Sequence, residues 1–342
     1  MSETNQPASD VQPSSVVAKN NMKVFVALGV VALVLFGTLG VTVYRVYAQR
    51  ASDNFTMKMA NLLHLSAAKI GDTEIPYKDY VEDLRAIHVM RDFDKAQTPP
   101  GPGAELTEEQ MSDQVLMRLA SNVLVEEAAK EQSLAVEDQD IQVLKANLLS
   151  KFKDEAELNG ELMKRYGWDI AQYEAKVLRP FVLQRKLATK LQEPVKAEAE
   201  KTLEAVKTGG DFAEFAKKYN PDSTKNTGGD LGWFAKGDMV PEFDKAVFSL
   251  KKGEVYPTLV ETQFGYHIIR LDDKKTARVK NDKGVMENQE QVRASHILFA
   301  FVDLNNYLDT KMKEAKPKLR LKVHNPFAAA TQAAEATETT TK

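Results

Sequence analysis

Hydrophobic residues are spread very unevenly over the 342 residues of this chain. Residues 1–22 are rich in Ser, Gln, Asn and Pro and have no apolar period, which predicts a disordered leader. Residues 23–45 are apolar, and the stretch Val24–Tyr44 within them carries no charge. A helix of that length reaches about 31 Å and matches a hydrocarbon core of roughly 30 Å. The pattern therefore predicts a single transmembrane helix.

A cleaved signal peptide is the alternative interpretation of this apolar stretch. The leader in front of it is long and no clear Ala-x-Ala site follows it, which favours an uncleaved anchor. Lys19 and Lys23 on one side are balanced by Arg45 and Arg50 on the other, so the positive-inside rule leaves the orientation open.

Helical periodicity dominates residues 50–192 and predicts a helical domain there. At its start, Ala67–Ile87 reads as a short strand and a turn that lead into a helix. The Pro- and Gly-rich residues 98–103 predict a loop. Thr107 and Gln110 then form a capping box, which predicts a helix beginning at the residue after Thr107.

Further helices are predicted towards the middle of the chain by their apolar stripes. The helix expected at Ile170–Gln192 contains Pro180 and should bend near it. A separate charged amphipathic helix is expected at Val195–Thr208. The shorter helices in front of these two are expected at Asp138–Lys151 and Glu155–Tyr166.

Alternating apolar positions predict strands in the last third of the chain. One strand is expected at Gln263–Ile269 and another at Gln291–Phe299, with a polar linker containing Asn281–Gly284 between them. A polar loop with a glycine between two alternating segments indicates a hairpin, because antiparallel strands need only a short connection. Residues 326–342 are rich in Ala and Thr and are predicted to be a disordered tail.

Composition excludes several classes of function. The net charge of -3 with mixed signs gives no electrostatic basis for binding nucleic acid. The chain has no cysteine, which excludes disulfides, thiolate nucleophiles and Cys-ligated metals. Its five histidines show no metal-ligand spacing, so neither a metal nor another cofactor is expected.

Two segments carry a resemblance to a known family. GGDLGWFAKGDMVPEFDKAVFSLKKGEVYPTLVETQFGYHIIR at Gly228–Arg270 and VRASHILF at Val292–Phe299 resemble the two halves of a parvulin-type peptidyl-prolyl isomerase domain. In that family SHIL opens the domain and GYHII closes it, whereas here the order is reversed. The resemblance implies an α+β fold over residues 193–325, a small antiparallel sheet surrounded by helices whose first strand has moved to the C-terminal end.

Circular permutation is the favoured explanation of this reversed order. The first and last strands of the parvulin fold are antiparallel neighbours, so a hairpin could join them, and permutation succeeds where the old termini lie close together. The rival explanation is a truncated second parvulin repeat starting at Val292. Such a repeat would lack the GGDLG and GYHII blocks, and no SHIL precedes Val195 in this chain.

The helical region also resembles a family domain. The segments KIGDTEIPYKDY, LMRLASNVLVEEAAKEQSL and YGWDIAQYEAKVLRPFVLQRKL are similar in pattern and order to the N-terminal chaperone domain of bacterial periplasmic and membrane-anchored parvulin proteins of the SurA, PrsA and PpiD type. An unrelated helical bundle is the alternative.

The parvulin resemblance implies a set of site residues. Met239 and Phe243 would form a proline pocket with Leu231 and Phe234. Without the surrounding motif these apolar residues would be read as ordinary core.

The polar part of the implied site has two histidines at its centre. His267 and His296 would be a hydrogen-bonded central pair, with structural support at least as probable a role as proton transfer. Asp222 would lie near the substrate carbonyl with Thr262 as a neighbouring hydroxyl, although Asp222 alone reads as a turn residue. Phe264 favours apolar substrates. Since no basic cluster accompanies these residues, specificity for phosphorylated Ser-Pro or Thr-Pro is not expected.

The function implied by both resemblances is that of a membrane-anchored foldase. It would isomerise Xaa-Pro bonds in unfolded or nascent exported polypeptides outside the bacterial cytoplasm, at the inner membrane, with its single helix as the anchor. The alternative is an inactive holdase that grips extended segments without turnover. The sequence leaves the client proteins and the oligomeric state open.

Overall fold

The computed structural model describes residues 34–280 and 286–330. These residues form two compact units. The first contains the described residues up to Ala120, the short segment Met163–Gly167 and the residues from Ala315 onwards. The second contains Ser121–Leu162 and Trp168–Glu314.

Helices and strands follow one another in a mixed order, which makes the fold α+β. The helix at residues 34–47 is called α1. It is followed by α2 (Asn54–Leu62), β1 (Ser66–Ile70), β2 (Thr73–Pro76), α3 (Tyr77–Lys95), α4 (Glu108–Glu131), α5 (Asp138–Leu149), α6 (Glu155–Tyr166), α7 (Ile170–Tyr173), a π-helical turn (Glu174–Leu178), α8 (Arg179–Lys207), α9 (Phe212–Tyr219), a 3-10 turn (Ser223–Thr227), β3 (Asp230–Ala235), α10 (Pro241–Phe248), β4 (Val260–Thr262), β5 (Gly265–Lys280), β6 (Met286–Ala300), α11 (Leu304–Ala315) and β7 (Lys318–Leu319).

Helix α1 has an exposed apolar surface and a buried end. Leu35 and Phe36 are 63% and 72% exposed, whereas Thr42 and Val46 are fully buried. Among the described helices, none has both the length and the apolar character that crossing a bilayer requires. The predicted anchor at Val24–Tyr44 lies in part outside the described residues.

The first unit contains a small antiparallel sheet with β1 in its centre, in the order β2-β1-β7. The central strand pairs with β2 through Lys69 opposite Glu74, and with β7 through Lys69 opposite Lys318. Phe327, in the segment where a disordered tail was predicted, is only 1% exposed. Burial of a phenylalanine stabilises a fold by roughly 2–3 kcal/mol, so residues from β7 onwards contribute to the core of this unit.

The capping box at the start of α4 is confirmed. The Gln110 amide N–H donates to Thr107 Oγ1 (3.2 Å), and the Thr107 N–H donates to Gln110 Oε1 (3.0 Å). These reciprocal bonds satisfy two amide groups that a helix start leaves without partners. Helix α4 accordingly begins at Glu108.

The two helices predicted around residue 193 are a single helix, α8, of 29 residues, about 43 Å long at 1.5 Å per residue. It continues through Pro194, although a proline inside a helix removes a hydrogen bond and costs about 3 kcal/mol. Burial on both sides offsets this cost: Leu187 packs in a cluster with Val125 and Ala128, and Leu203 lies in the core beneath the sheet. A π-helical turn at Glu174–Leu178 precedes α8, and Pro180, near which a bend was predicted, lies in the first turn of α8.

The second unit holds a four-stranded antiparallel sheet in the order β3-β6-β5-β4. The two predicted strands are confirmed and are longer than expected, since β5 and β6 pair along their whole length, from Gly265 opposite Ala300 to Lys280 opposite Met286. The linker predicted between them lies outside the described residues. In this strand order β6, which contains SHIL, lies between β3 and β5.

Each face of this sheet has its own apolar core. One face packs against α10 and includes Phe234, Phe243, Ile269, Leu271, Val292 and Ala294. The other packs against α8 and α9 and includes Ala199, Leu203, Phe212, Tyr266, Ile268, Ile297 and Phe299. Successive residues of β5 and β6 alternate between the two clusters, as the two-residue period of a strand requires. His267 and His296 consequently lie on the α10 face.

Candidate active site

A pair of buried histidines forms the centre of the site. His267 on β5 pairs with Leu298 on β6, and His296 pairs with Ile269, so the two histidines are diagonal neighbours on one face. Their Nδ1 atoms are 3.2 Å apart, and they are 5% and 4% exposed. The Phe243 ring meets both histidines edge-on, with centroids 5.4 and 6.2 Å away.

Hydroxyl groups lie at both ends of the histidine pair. Thr262 Oγ1 lies 2.9 Å from His267 Nε2 and also accepts the Phe264 N–H at 3.1 Å. At the other end, Thr224 Oγ1 lies 3.1 Å from His296 Nε2. Every ring nitrogen of the pair therefore has a hydrogen-bond partner.

The Thr224 hydroxyl connects the pair to a carboxylate. It donates its proton to Asp222 Oδ1, which also accepts the Thr224 N–H at 2.9 Å. Asn220, which is 4% exposed, donates to Thr224 Oγ1 (2.8 Å) and to the His296 carbonyl (3.1 Å), and its own oxygen accepts the Leu298 N–H at 2.8 Å. Asn220 thus joins the loop that carries Asp222 to strand β6.

These partners determine where the protons of the site reside. An ionised carboxylate only accepts and an amide NH₂ only donates, so the single proton of the Thr224 hydroxyl goes to Asp222. His296 Nε2 must then donate to Thr224. Since burial lowers the pKa of both histidines, both rings are neutral, so His296 Nδ1 accepts the Nδ1–H of His267 and His267 Nε2 accepts from Thr262. All the bonds then run in one direction, from Thr262 to Asp222.

The pKa values agree with neutral rings. Burial, reinforced by the neighbouring His296, lowers the pKa of His267 to about 3. Burial also lowers the pKa of His296, although the nearby Asp222 opposes this effect. Partial burial raises the pKa of the Asp222 carboxyl, but hydrogen bonds from the Thr224 hydroxyl and amide outweigh it and the pKa lies below its ordinary value. Asp222 is therefore charged at neutral pH, and its 3.9 Å approach to His296 is not an ion pair.

Two glycines allow the backbone to approach the histidine strand closely. Gly229 has φ +88°, and its carbonyl oxygen accepts the His296 N–H at 2.9 Å. A Cβ at this position would lie only 2.3 Å from the His296 carbonyl oxygen, so no side chain fits there. Gly265 has φ +144°, and a Cβ there would lie 2.1 Å from the Phe299 carbonyl oxygen. Only glycine fits such positions, which gives a physical reason for glycine in both the GGDLG and the FGYH segments.

An open cavity of about 390 Å³ lies over the histidine pair. The residues predicted to form the site that line it are Asp222, Leu231, Met239, Phe243, Phe264, His267 and His296. Asp238, Val240 and Leu298 complete the wall. In its wall Phe243 and Leu298 are buried, whereas Phe264 at the edge is 54% exposed. A cavity of this kind suits a small apolar ring such as that of proline.

Two of the predicted site residues lie behind the cavity wall. Phe234 is buried in the α10-side core, with its ring centroid 6.3 Å from that of Phe243, and does not line the cavity. Thr262 is 6% exposed and contacts the cavity lining through its hydrogen bonds with His267 and with the Phe264 N–H. Both act on the pocket through a neighbouring residue.

Sequence reasoning missed Thr224 and Asn220, which connect Asp222 to the histidines. Both belong to the segment NPDST, which reads as an ordinary turn. The only local signal is the close spacing of three polar side chains before the glycine pair. Their function depends on contacts with His296, more than 70 residues away in sequence, and a local pattern does not reveal such contacts.

This fold and site define a protein of the parvulin class, joined to a helical N-terminal region. The family model described as a PPIC-type PPIASE domain matches residues 162–275. The model described as a SurA-like N-terminal domain matches residues 17–187, half of the chain. The chain therefore belongs to the family of SurA-like proteins that carry a PPIC-type domain.

Similar proteins include two chaperones or foldases. The chain is 39% identical to the chaperone SurA of Chromobacterium violaceum over 32% of this chain and 25% of that protein. It is 30% identical to the foldase protein PrsA of Caldanaerobacter subterraneus over 52% of this chain and 62% of that protein. It thus spans less than two thirds of the length of either relative. A crystal structure of the peptidylprolyl isomerase PrsA from Bacillus anthracis aligns at 19% identity, covering 66% of this chain and 97% of that one, with a TM-score of 0.21.

The lowered histidine pKa values predict how stability depends on pH. In the unfolded chain both histidines take up protons below about pH 6.5, whereas in the folded chain His267 stays neutral until about pH 3. The free energy of unfolding should therefore fall as the pH drops from 6.5 towards 3, by up to about 1.4 kcal/mol per pH unit for each histidine. Urea unfolding followed at several pH values measures this slope.

A variant and a spectrum test the origin of that slope. Replacing His267 by Gln should make this pH slope shallower, whereas replacing the exposed His64, which does not line the cavity, should not. Nitrogen-15 spectra at neutral pH should show His296 protonated on Nε2 and His267 on Nδ1. A His267 that titrates near pH 6.5 in the folded protein would contradict both expectations.

Proposed function

We propose that this chain is a parvulin-type peptidyl-prolyl cis-trans isomerase with an attached chaperone domain, acting on unfolded polypeptides. One observation carries the proposal: a neutral, fully hydrogen-bonded histidine pair forms the polar floor of an apolar cavity, and the carboxylate of Asp222 lies at the edge of that cavity beside the pair. The membership of the PPIC-type family supports it.

The chemistry required is modest and matches these groups. Rotation about an amide C–N bond meets a barrier of roughly 18–20 kcal/mol because resonance is lost in the twisted state. A site lowers that barrier when it binds the twisted amide better than the planar one. The apolar wall of Met239, Phe243 and Leu231 would hold the proline ring while the preceding carbonyl rotates beside Asp222 and the histidines. No covalent step and no proton transfer are needed.

The neutral histidines have a positioning role in this mechanism. Their bonds to Thr262 and Thr224 are already complete, so neither ring has a free nitrogen for substrate. The pair keeps the cavity floor rigid and dry, and through Thr224 it fixes the orientation of Asp222. The carboxylate oxygen Oδ2, whose nearest polar partner at His296 is 3.9 Å away, remains able to interact with the rotating amide.

Isomerase activity is tested with a protease-coupled assay on short Xaa-Pro peptides, using the whole chain in mild detergent. We expect catalysis above the uncatalysed rate, which takes tens to hundreds of seconds. Met239→Ala should lower kcat/KM at least about tenfold through loss of the proline wall, while Met239→Leu, similar in volume, should retain most of it. For Asp222→Ala, the loss of kcat expressed as an activation free energy should exceed the loss in the free energy of unfolding.

The outcomes of this assay separate the enzyme from the second candidate, a holdase that binds without turnover. A folded protein that suppresses aggregation of an unfolded client but gives no rate above background would eliminate the isomerase and retain the holdase. Equal losses of activity and stability in Asp222→Ala would indicate that this carboxylate is structural.

We also propose that residues 193–325 form a circularly permuted parvulin domain. Support comes from the position of β6 between β3 and β5, where it supplies His296 to the pair. The PPIC-type match ends at residue 275, before β6 begins. A truncated second repeat gives no reason for β6 to complete the sheet of the first.

Truncation tests the permutation. Ending the chain after Glu290 should unfold the sheet, because β3 and β5 would expose the backbone groups that pair with β6. Ending it after Ala315 is the control, since it keeps β6 and α11 and removes only the later residues. Amide exchange at β5 should be fast in the first variant and slow in the second; slow exchange in both would contradict the proposal.

We propose further that the chain is anchored in the bacterial inner membrane with its bulk outside the cytoplasm. The uncharged stretch at Val24–Tyr44 and the exposed apolar side chains of α1 support this. The expected result is that the full chain stays with membranes after a carbonate wash, while a version beginning at Gln49 is released. Release of both would contradict the anchor.

A further inference from the structure

The two charged side chains that line the cavity are both acidic. Of the ten described residues that line it, two carry charge, Asp222 and Asp238, and no lysine or arginine is among them. Both histidines are neutral because burial lowers the pKa of each. The lining of the cavity therefore combines an apolar wall with two acidic groups and no basic one.

Each of the two carboxylates uses one of its oxygens for hydrogen bonds within the fold. Asp222 uses Oδ1 for its two bonds to Thr224, and its side chain is 46% exposed. Asp238 uses Oδ2 to accept the Ala235 N–H at 2.8 Å. No hydrogen bond from the described residues is recorded to Asp222 Oδ2 or to Asp238 Oδ1. These bonds hold both carboxylates in place before a ligand arrives.

A ligand that complements this edge carries a positive charge close to its proline. Lysine and arginine have aliphatic stems that pack on apolar surfaces while their charged heads stay in water. Phe264, half exposed at the edge, offers such a surface, and an aromatic face also attracts a cation. Phe264 and the two carboxylates thus suit the stem and the charged head of one long basic side chain next to the proline. A glutamate or a phosphorylated residue in the same place would be repelled.

We propose that this site selects prolines flanked by lysine or arginine, and that Asp238 is a specificity-determining residue. The proposal rests on the proposed function only in taking an Xaa-Pro segment as the ligand, and it applies to a binding module as well as to an isomerase. The resemblance implied, through Phe264, a preference for apolar substrates; the proposal instead expects a preference for basic side chains next to the proline.

Matched peptides test the proposal with the whole chain. The residue before proline is lysine, its uncharged isostere norleucine, or glutamate, and a second set varies the residue after proline in the same way. In a water-like medium, one carboxylate about 7 Å from the lysine charge should raise kcat/KM about threefold. Two carboxylates together should therefore make kcat/KM about tenfold higher for the lysine peptide than for the norleucine peptide, at low salt and in at least one set. Glutamate should fall below norleucine. The preference should shrink in about 1 M salt, where the screening length falls to about 3 Å.

Two isosteric variants locate the source of the preference. Asp238→Asn keeps an oxygen for the Ala235 N–H and removes the charge, so the lysine-to-norleucine ratio should fall about threefold. Asp309→Asn on α11 removes one charge at an exposed position that does not line the cavity. It should leave the ratio unchanged. An equal fall in both variants would attribute the preference to net charge and overturn the role of Asp238.

A binding measurement separates this proposal from the proposed enzyme. Peptide affinity, followed by shifts of the Phe264 and His296 amide signals, needs no turnover. Lysine-selective binding without catalysis would support the specificity and overturn the isomerase. Catalysis or binding with equal values for lysine, norleucine and glutamate in both sets would overturn the specificity and leave the isomerase standing.

Discussion

The register between β5 and β6 is the constraint on which the site depends. Because side chains alternate between the faces of a sheet, a shift of one residue would move His296 to the α8 side, away from His267. The register is held by residues on both faces at once, with Ile269 and Ala294 in one core and Ile268 and Ile297 in the other. Packing of two separate apolar cores therefore fixes the distance between two polar rings.

From that pair the polar network extends outward through the Asn220–Thr224 loop. A network of this kind is stable in a low-dielectric setting only when each donor has an acceptor. Here one ionised group at the edge, Asp222, sets the direction of every bond behind it. The charge that faces the ligand and the neutrality of the buried rings are thus two parts of one arrangement.

Local signals predicted those features whose cause is local. The capping box at Thr107 and the alternation of β5 and β6 follow from residue types at short spacing, whereas most of the cavity wall was predicted from the resemblance to parvulins. The continuity of α8 through Pro194 does not, because it depends on apolar contacts at both ends that outweigh an unfavourable residue. The burial of Phe327 and the role of Thr224 likewise arise from partners distant in sequence, and the Ala- and Thr-rich composition after Phe327 obscures the first of these.

The first unit is assembled from segments that are far apart along the chain. Strand β7, whose Lys318 lies 249 residues after Lys69, completes the sheet started by β1, and Phe327 belongs to the core of the same unit. A ribosome or a secretion channel delivers these segments in order. The second unit, which lies between them in sequence, has all its strands available first, so during synthesis the earliest residues to emerge belong to the unit that is completed last.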